Sequence, residues 1–228
     1  MEPARITTEL RTAIVRGDFR PGEPLRQDHI AERFGVSSTP VREAFRQLTV
    51  EGLVVSEPNR GVFVSELSVA EVSELTELRC LLEVQMMLWS MPRTSREDLS
   101  AATALIDAID HSDSVDDVLT TNREFHSLFY RKAGRPHIMS IIDGARQNLE
   151  RYLRIVWSEL NYLPRSQAEH RKIVRMCQAG QETEMRSLLE AHIRRTGDVI
   201  IHHLNGKAAV TAAKTPATPR RAVGAVSR

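Results

Sequence analysis

The sequence predicts a mainly α-helical chain in two parts, an N-terminal winged helix-turn-helix with a two-stranded wing and a C-terminal all-α bundle of about six helices. Three observations lead there. Ile30 to Val64 reads as two short helices around a tight turn followed by a glycine-tipped hairpin, Ser68 onward shows only helical periodicity, and Pro or Gly marks the joints between those periods.

Ile30, Ala31 and Phe34 share one helical face, and in Gly35-Val36-Ser37 the glycine supplies the left-handed residue that ends a helix. In the next helix Val41, Phe45 and Leu48 recur at three- and four-residue spacing to face a core. Pro40 sits in the first turn, where a missing N–H is tolerated, and Ser37 or Thr39 is the candidate cap. The opposite face carries Ser38, Thr39, Arg42 and Arg46. Two arginines one turn apart behind a run of hydroxyls suit a DNA major groove, where Arg forks onto guanine and hydroxyls meet phosphates. Glu43 is the acid among them; it either holds an arginine in place or points away from the duplex. After Gly52, two short apolar and β-branched runs, Leu53-Val54-Val55 and Val62-Phe63-Val64, flank a turn and predict the wing. Arg60 at its tip, beside Gly61, is placed to meet a phosphate or enter a minor groove.

These residues carry a resemblance. Val36-Ser37-Ser38-Thr39-Pro40-Val41-Arg42-Glu43-Ala44, Leu48, Glu51-Gly52-Leu53-Val54 and Asn59-Arg60-Gly61-Val62-Phe63-Val64 are similar to the N-terminal domain of the GntR family of bacterial transcription regulators. The resemblance implies binding of double-stranded operator DNA as a homodimer, through the helix that begins near Ser37 with the wing at Gly61 assisting. Thr39, Arg42, Arg46 and Gly61 carry over. Ser38 stands where the family usually has an arginine, which implies an altered or weaker base contact there.

The chain's 228 residues and 41% hydrophobic content allow a DNA-binding unit over 1–66 and a second domain over 67–205. Residues 1 to 65 hold nine Arg, no Lys and nine acids, so any basic surface on that unit is local. Residues 206–228 carry five Lys plus Arg and no acid, are rich in Ala, Thr and Pro, and read as a disordered basic tail. No stretch approaches the ~18 apolar residues of a membrane span, and the start Met1-Glu2-Pro3-Ala4-Arg5 has no apolar run behind it. Cys80 and Cys177 form no metal-type or redox-type pair, so a reduced cytoplasmic protein is expected.

Helical patterns follow at about 68–91, 95–110, 115–132, 137–161, 165–178 and 181–204. Pro92, Gly134-Arg135-Pro136, Pro164 and Gly180 punctuate them, and Ser95 and Ser114 precede acidic first turns. On the first, Val72, Leu75, Leu78, Leu82 and Met86 are available for core packing and a subunit interface. On the third, Asn122 and His126 stand one turn apart with Val118, Phe125 and Phe129. His170 shares a face with Ile173 and Val174, and His192 with Met185, Leu188, Leu189 and Val199. One inward histidine is ordinarily a hydrogen-bonded core residue. Three in one bundle need partners together, and a divalent metal supplies them.

Asn122-Arg123-Glu124-Phe125-His126, Glu169-His170-Arg171-Lys172-Ile173-Val174 and Ala191-His192-Ile193 resemble the three metal-bearing motifs of the FCD ligand-sensing domain. Together the two resemblances cover about residues 8 to 204, in the order that defines FadR-type GntR regulators, and six helices fit the VanR branch. They imply a zinc- or nickel-like divalent ion on Asn122, His126, His170 and His192, with open positions for a small organic acid. Asn122 replaces a frequent aspartate and brings no charge to the ion. Arg79, within Leu78-Arg79-Cys80-Leu81-Leu82-Glu83, looks like the family's first-helix arginine and is either an effector-binding cation or an ion-pair partner. Two rivals remain at this level: a metal-dependent hydrolase or oxygenase, and a regulator whose metal-free bundle only dimerises. A catalytic site needs a base, and helical spacing turns Glu124 and Glu169 away from their neighbouring histidines. The expectation is a regulator, a repressor in preference to an activator.

Overall fold

The computed structural model describes residues 2–66, 68–159 and 163–214; for 155, 156, 158, 159 and 207–214 it describes the backbone alone. The chain opens with helix α1 (Glu2–Arg16), which the sequence reading did not anticipate. Ile6, Leu10, Ala13 and Ile14 recur at helical spacing and are all buried, so the signal was present in the sequence. Helix α2 (Gln27–Phe34) ends on Gly35 at φ +64°, and α3 (Ser38–Val50) follows after Val36 and Ser37. Val41, Ala44, Phe45 and Leu48 of α3 are buried, joining α1 and α2 in one small core.

The wing contains the two expected strands, β2 (Val54–Glu57) and β3 (Gly61–Val64), paired antiparallel in the register Val54↔Val64 to Glu57↔Gly61. A further short strand, β1 (Pro24–Leu25), pairs with the other edge of β3, so the sheet has three strands in the order β1-β3-β2. Pro24 occupies an edge strand, where its missing N–H is harmless. Asn59 at φ +62° and Gly61 at φ +106° form the hairpin tip.

Among the described residues six long helices follow: α4 (Val69–Ser90), α5 (Arg96–Asp110), α6 (Val115–Tyr130), α7 (Pro136–Glu159), α8 (Leu163–Ala179) and α9 (Glu182–Lys214). Their starts obey the expected chemistry. Ser95 and Asp98 form a reciprocal capping box, and the Ser114 hydroxyl accepts from the Asp117 N–H. Gly134 and Gly180, both at φ +66°, make the left-handed turns before α7 and α9. Helix α9 continues to Lys214, past the expected boundary at 205, so the first residues of the predicted tail are helical; 215–228 lie outside the described residues.

The face that α4 turns inward includes Val72 and Met86 of the predicted set, both 0% exposed, together with two charged residues outside that set. Val72, Thr76, Arg79, Cys80, Glu83, Met87 and Ser90 are buried, whereas Leu75, Leu78 and Leu82 flank that stripe and Leu81 is 73% exposed. Leu75 and Leu82 pack at the edges of the bundle cores, while Arg79 and Glu83 occupy the inner stripe. Helices α4 and α9 approach closely at Gly197, where an added Cβ would lie 2.4 Å from the Thr76 hydroxyl.

The two parts meet along α7. Asn148 Nδ2 donates to the Glu51 carbonyl at the end of α3 (2.9 Å), and Arg151 Nη1 donates to the Ser65 carbonyl just after the wing (2.9 Å).

Candidate functional site

The bundle brings His126 of α6, His170 of α8 and His192 of α9 together in its interior. All three are buried, and one ring nitrogen from each lies within 4.8 Å of the others. Their approach is set by apolar packing: Phe125, Phe129 and Ile173 are fully buried beside them, and the Phe125 ring lies 4.5 Å from that of His170.

Each Nδ1 faces a protein oxygen. His192 Nδ1 lies 2.8 Å from Glu169 Oε2, whose other oxygen accepts from Arg195 Nε at 2.9 Å. His170 Nδ1 lies 2.7 Å from Gln167 Oε1. That amide is fixed, because Gln167 Nε2 donates to the Ile106 carbonyl and to Asp110, both at 2.8 Å. Acceptors at Nδ1 make His170 and His192 donors there and leave Nε2 with the lone pair. His126 Nδ1 has the looser contact, 3.4 Å from the Tyr130 hydroxyl.

His170 Nε2 is buried with no hydrogen-bond partner. An orphaned acceptor beside two further imidazoles is what a metal ligand set leaves in the absence of its ion, and carboxylate and amide oxygens behind the rings are the usual orienting partners of such ligands. Burial first, and then neighbouring positive charge, holds His126 and His170 well below the ordinary imidazole range, so both are neutral and competent to bind a cation. The residues present therefore fit a divalent ion of the kind that imidazole ligands select. Asn122, half-buried one turn before His126, lines a cavity of about 30 Å³ together with His126, His192, Arg79, Arg146 and Trp157.

Arg79 reaches that cavity but is also paired: its Nε donates to Glu83 Oε1 at 2.5 Å. Glu83 is 0% exposed and its second oxygen accepts from the Tyr130 hydroxyl at 2.8 Å. Burial would raise the Glu83 carboxyl, but Arg79 and Arg146 outweigh it and hold the group below the usual carboxylate range. Arg79 is thus an ion-pair partner that also lines the cavity.

Glu83, Tyr130, Arg146, Gln167 and Glu169 were not among the predicted site residues. Two of them left a signal. Tyr130 follows His126 by one turn, and Arg146 interrupts the inward stripe Ile142, Ala145, Leu149, Tyr152 and Leu153 of α7. Glu169 does turn away from His170, as spacing requires, but it faces His192 on the adjacent helix.

In the N-terminal unit Ser37 is the N-cap residue of α3, and its hydroxyl makes no bond to the helix. Ser38 is half-buried, with its carbonyl accepting from Gln27 Nε2 at 3.1 Å. Thr39, Arg42 and Arg46 are exposed on one side of α3, and Glu43 holds Arg46 at 3.5 Å. Arg60 is exposed at the wing tip, ion-paired with Glu57 and lying over the Phe63 ring, while Gly61 supplies the positive φ of the hairpin. The predicted residues therefore lie on one helix face and one hairpin, among buried neighbours that fix both.

Comparison with known proteins matches two family descriptions along the chain. Residues 3–64 match the family described as bacterial regulatory proteins, gntR family, and residues 74–195 match the FCD domain. The Nta operon transcriptional regulator of Aminobacter aminovorans is 26% identical over 206 residues, 90% of this chain and 97% of that relative. A transcriptional regulator of the GntR family from Pseudomonas syringae pv. tomato str. DC3000 is 30% identical, with a TM-score of 0.59 over 92% of this chain and 89% of that one. Escherichia coli McbR/YncC, at 18% identity, shares the fold with a TM-score of 0.77 over 90% of this chain and 99% of its own. Among the described residues no helix is long and apolar enough to cross a membrane.

Proposed function

This chain belongs to the gntR family of bacterial regulatory proteins with a C-terminal FCD domain, and from that premise we propose that it is a homodimeric repressor whose operator binding is set by a small carboxylate sensed at a divalent metal in the bundle. The class to which it belongs is one of transcription regulators, not enzymes. The observation that carries the sensory reading is the buried triad His126, His170 and His192, in which His170 Nε2 has no hydrogen-bond partner.

In this reading His126, His170 and His192 hold the ion, with Asn122 as the fourth group beside the cavity. The ion supplies open positions and positive charge that attract a carboxylate. The chain's own residues do the rest. Glu169 and Gln167 keep the Nδ1 protons of two imidazoles away from the ion, Phe125 and Phe129 exclude water, and the Arg79–Glu83 pair supports the cavity wall. Exposed Leu81, with Leu75, Leu78 and Leu82 beside it on α4, supports a dimer contact on that helix. Two recognition helices are then presented at a fixed spacing, with Ser37, Thr39, Arg42 and Arg46 toward the groove and Arg60 and Gly61 toward the backbone.

The test is to select duplexes from a random pool with the metal-loaded protein, then follow binding of the winning duplex by fluorescence anisotropy with and without small carboxylates. A salt-dependent affinity that at least one carboxylate shifts supports the proposal. Selection of no preferred duplex, or an affinity that no carboxylate changes in metal-loaded protein, contradicts it.

A further inference from the structure

We propose that α7 is the lever joining the two sites: Arg146 on its inner face receives the negative group of the acid effector, and Asn148 on its outer face passes the resulting shift to the recognition helix. The proposal rests on the acid-sensor reading and adds which arginine meets the acid and how the signal leaves the bundle.

Of the three arginines that line the cavity, Arg123 is exposed and paired with Glu150, and the two buried ones differ in what they are bound to. Arg79 is committed to Glu83 at 2.5 Å, and the second Glu83 oxygen is occupied by Tyr130. Arg146, 8% exposed, comes only within 3.9 Å of Glu83 through its Nε, and its Nη1 is buried without any partner. Asp143, exposed on the preceding turn of α7, adds attraction at longer range. Around Glu83 two buried guanidinium groups thus share one buried carboxylate, and the less well matched charge is that of Arg146. Burial accordingly pulls the Arg146 guanidinium below its ordinary value, whereas at Arg79 the attraction of Glu83 overcomes burial and raises it. A buried cation short of a partner is costly, and an incoming carboxylate supplies the partner. The free Nη1 presents it with a charge-assisted hydrogen bond.

Arg146 and Asn148 are two residues apart on α7, which places them on roughly opposite sides of the helix and about 3 Å apart along its axis. A pull on Arg146 from inside is therefore felt at Asn148 outside with little intervening slack. Asn148 holds the Glu51 carbonyl, the group that ends α3, and Arg151 one turn on holds the Ser65 carbonyl, where the chain leaves the wing. Both ends of the DNA-binding unit that face the bundle are thus gripped by this helix. Gly144 sits within α7, and a Cβ there would meet nothing within 4 Å. No packing demand explains a residue that costs a helix interior about 1 kcal/mol relative to alanine. A glycine two residues from Arg146 makes the helix easier to bend there.

The test uses the full-length, metal-loaded protein, with acetate, malonate and succinate as probes in calorimetric titrations and a selected duplex in anisotropy. Arg146→Gln is expected to keep its metal content and to lose at least about tenfold in affinity for the probe that the native protein binds best. Arg146→Lys, which retains the charge but not the fork, should fall between, and far-UV circular dichroism checks that both are folded. Asn148→Ala should bind the acid as the native protein does, while the acid-induced change in DNA affinity shrinks severalfold; Gly144→Ala should act in the same direction. Native acid affinity in both Arg146 variants, or a full acid-induced shift in Asn148→Ala, overturns the lever while leaving the sensor intact. A native protein that binds none of the probes overturns the sensor reading and the lever with it.

Discussion

Replacing Glu83 by alanine removes the single carboxylate between two buried guanidinium groups. The side chain is 0% exposed, accepts from Arg79 Nε at 2.5 Å and from the Tyr130 hydroxyl at 2.8 Å, and attracts Arg146 at 3.9 Å. At about 4 Å and an effective dielectric of ~20, one such attraction amounts to roughly 4 kcal/mol before desolvation is counted. The carboxylate's own desolvation cancels much of that in the native protein, but deleting it leaves two cations buried and unmatched. Breaking a buried pair on one side costs about 3–5 kcal/mol. For a chain of this size, at about 2–4 °C per kcal/mol, that corresponds to a fall in Tm of roughly 6–20 °C. Glu83→Gln keeps one carbonyl acceptor for Arg79, turns an N–H donor toward the Tyr130 oxygen and loses the charge, so it should lie between native and Glu83→Ala. Differential scanning calorimetry of the three proteins measures the series. Millimolar acetate should recover part of the loss in Glu83→Ala, because a small anion bound to the folded state stabilises it by mass action. Equal Tm values for native and Glu83→Ala protein would refute the argument that this carboxylate is what makes the two arginines tolerable.

Other consequences are independent of that pair. Arg42→Ala should weaken binding to a selected duplex by about 1–3 kcal/mol and leave the melting of the bundle unchanged; unchanged affinity at matched salt would remove α3 from the groove. Gly197→Ala should destabilise the bundle by about 1–3 kcal/mol in urea unfolding, since the new Cβ would sit 2.4 Å from the Thr76 hydroxyl. Burial acts to raise the Glu51 carboxyl, but hydrogen bonds from Arg11 and Gln47 prevail and hold it below the ordinary carboxylate value of 4.5. The stability this lends is present above that value and is lost as pH falls through the lower folded-state value. Thermal melts from pH 7 to pH 3 should therefore show a shallower acid loss in Arg11→Ala than in the native chain, and parallel curves would dismiss the pair.

Much of this arrangement was legible in the sequence because its signals are local. Gly35, Gly134 and Gly180 end or separate helices through one backbone conformation, and Ser95 and Ser114 cap through side chains three residues from their partners. The histidines were found because each sits beside residues such as Phe125, Ile173 or Leu189 that must face a core. What stayed hidden depends on how helices meet. Nothing within the sequence of α4 says that its inner stripe runs through Arg79 and Glu83 and leaves Leu81 outside; Tyr130 and Arg146 on other helices make that burial tolerable. Glu169 was set aside because it turns from His170, yet α9 brings His192 to it. Strand β1 is only two residues long and takes its identity from pairing with β3, which no local pattern announces.

The most direct measurement is the metal content of the purified full-length protein by elemental mass spectrometry, native against His170→Ala, both prepared without chelator. His170 carries an imidazole nitrogen of the triad that is buried without a hydrogen-bond partner, and its neighbours His126 and His192 remain in the variant. About one divalent ion per chain in the native protein, absent from His170→Ala, is the expected result. No ion in the native protein even after reloading with zinc or nickel, or an equal content in both proteins, would contradict the metal-centred sensor.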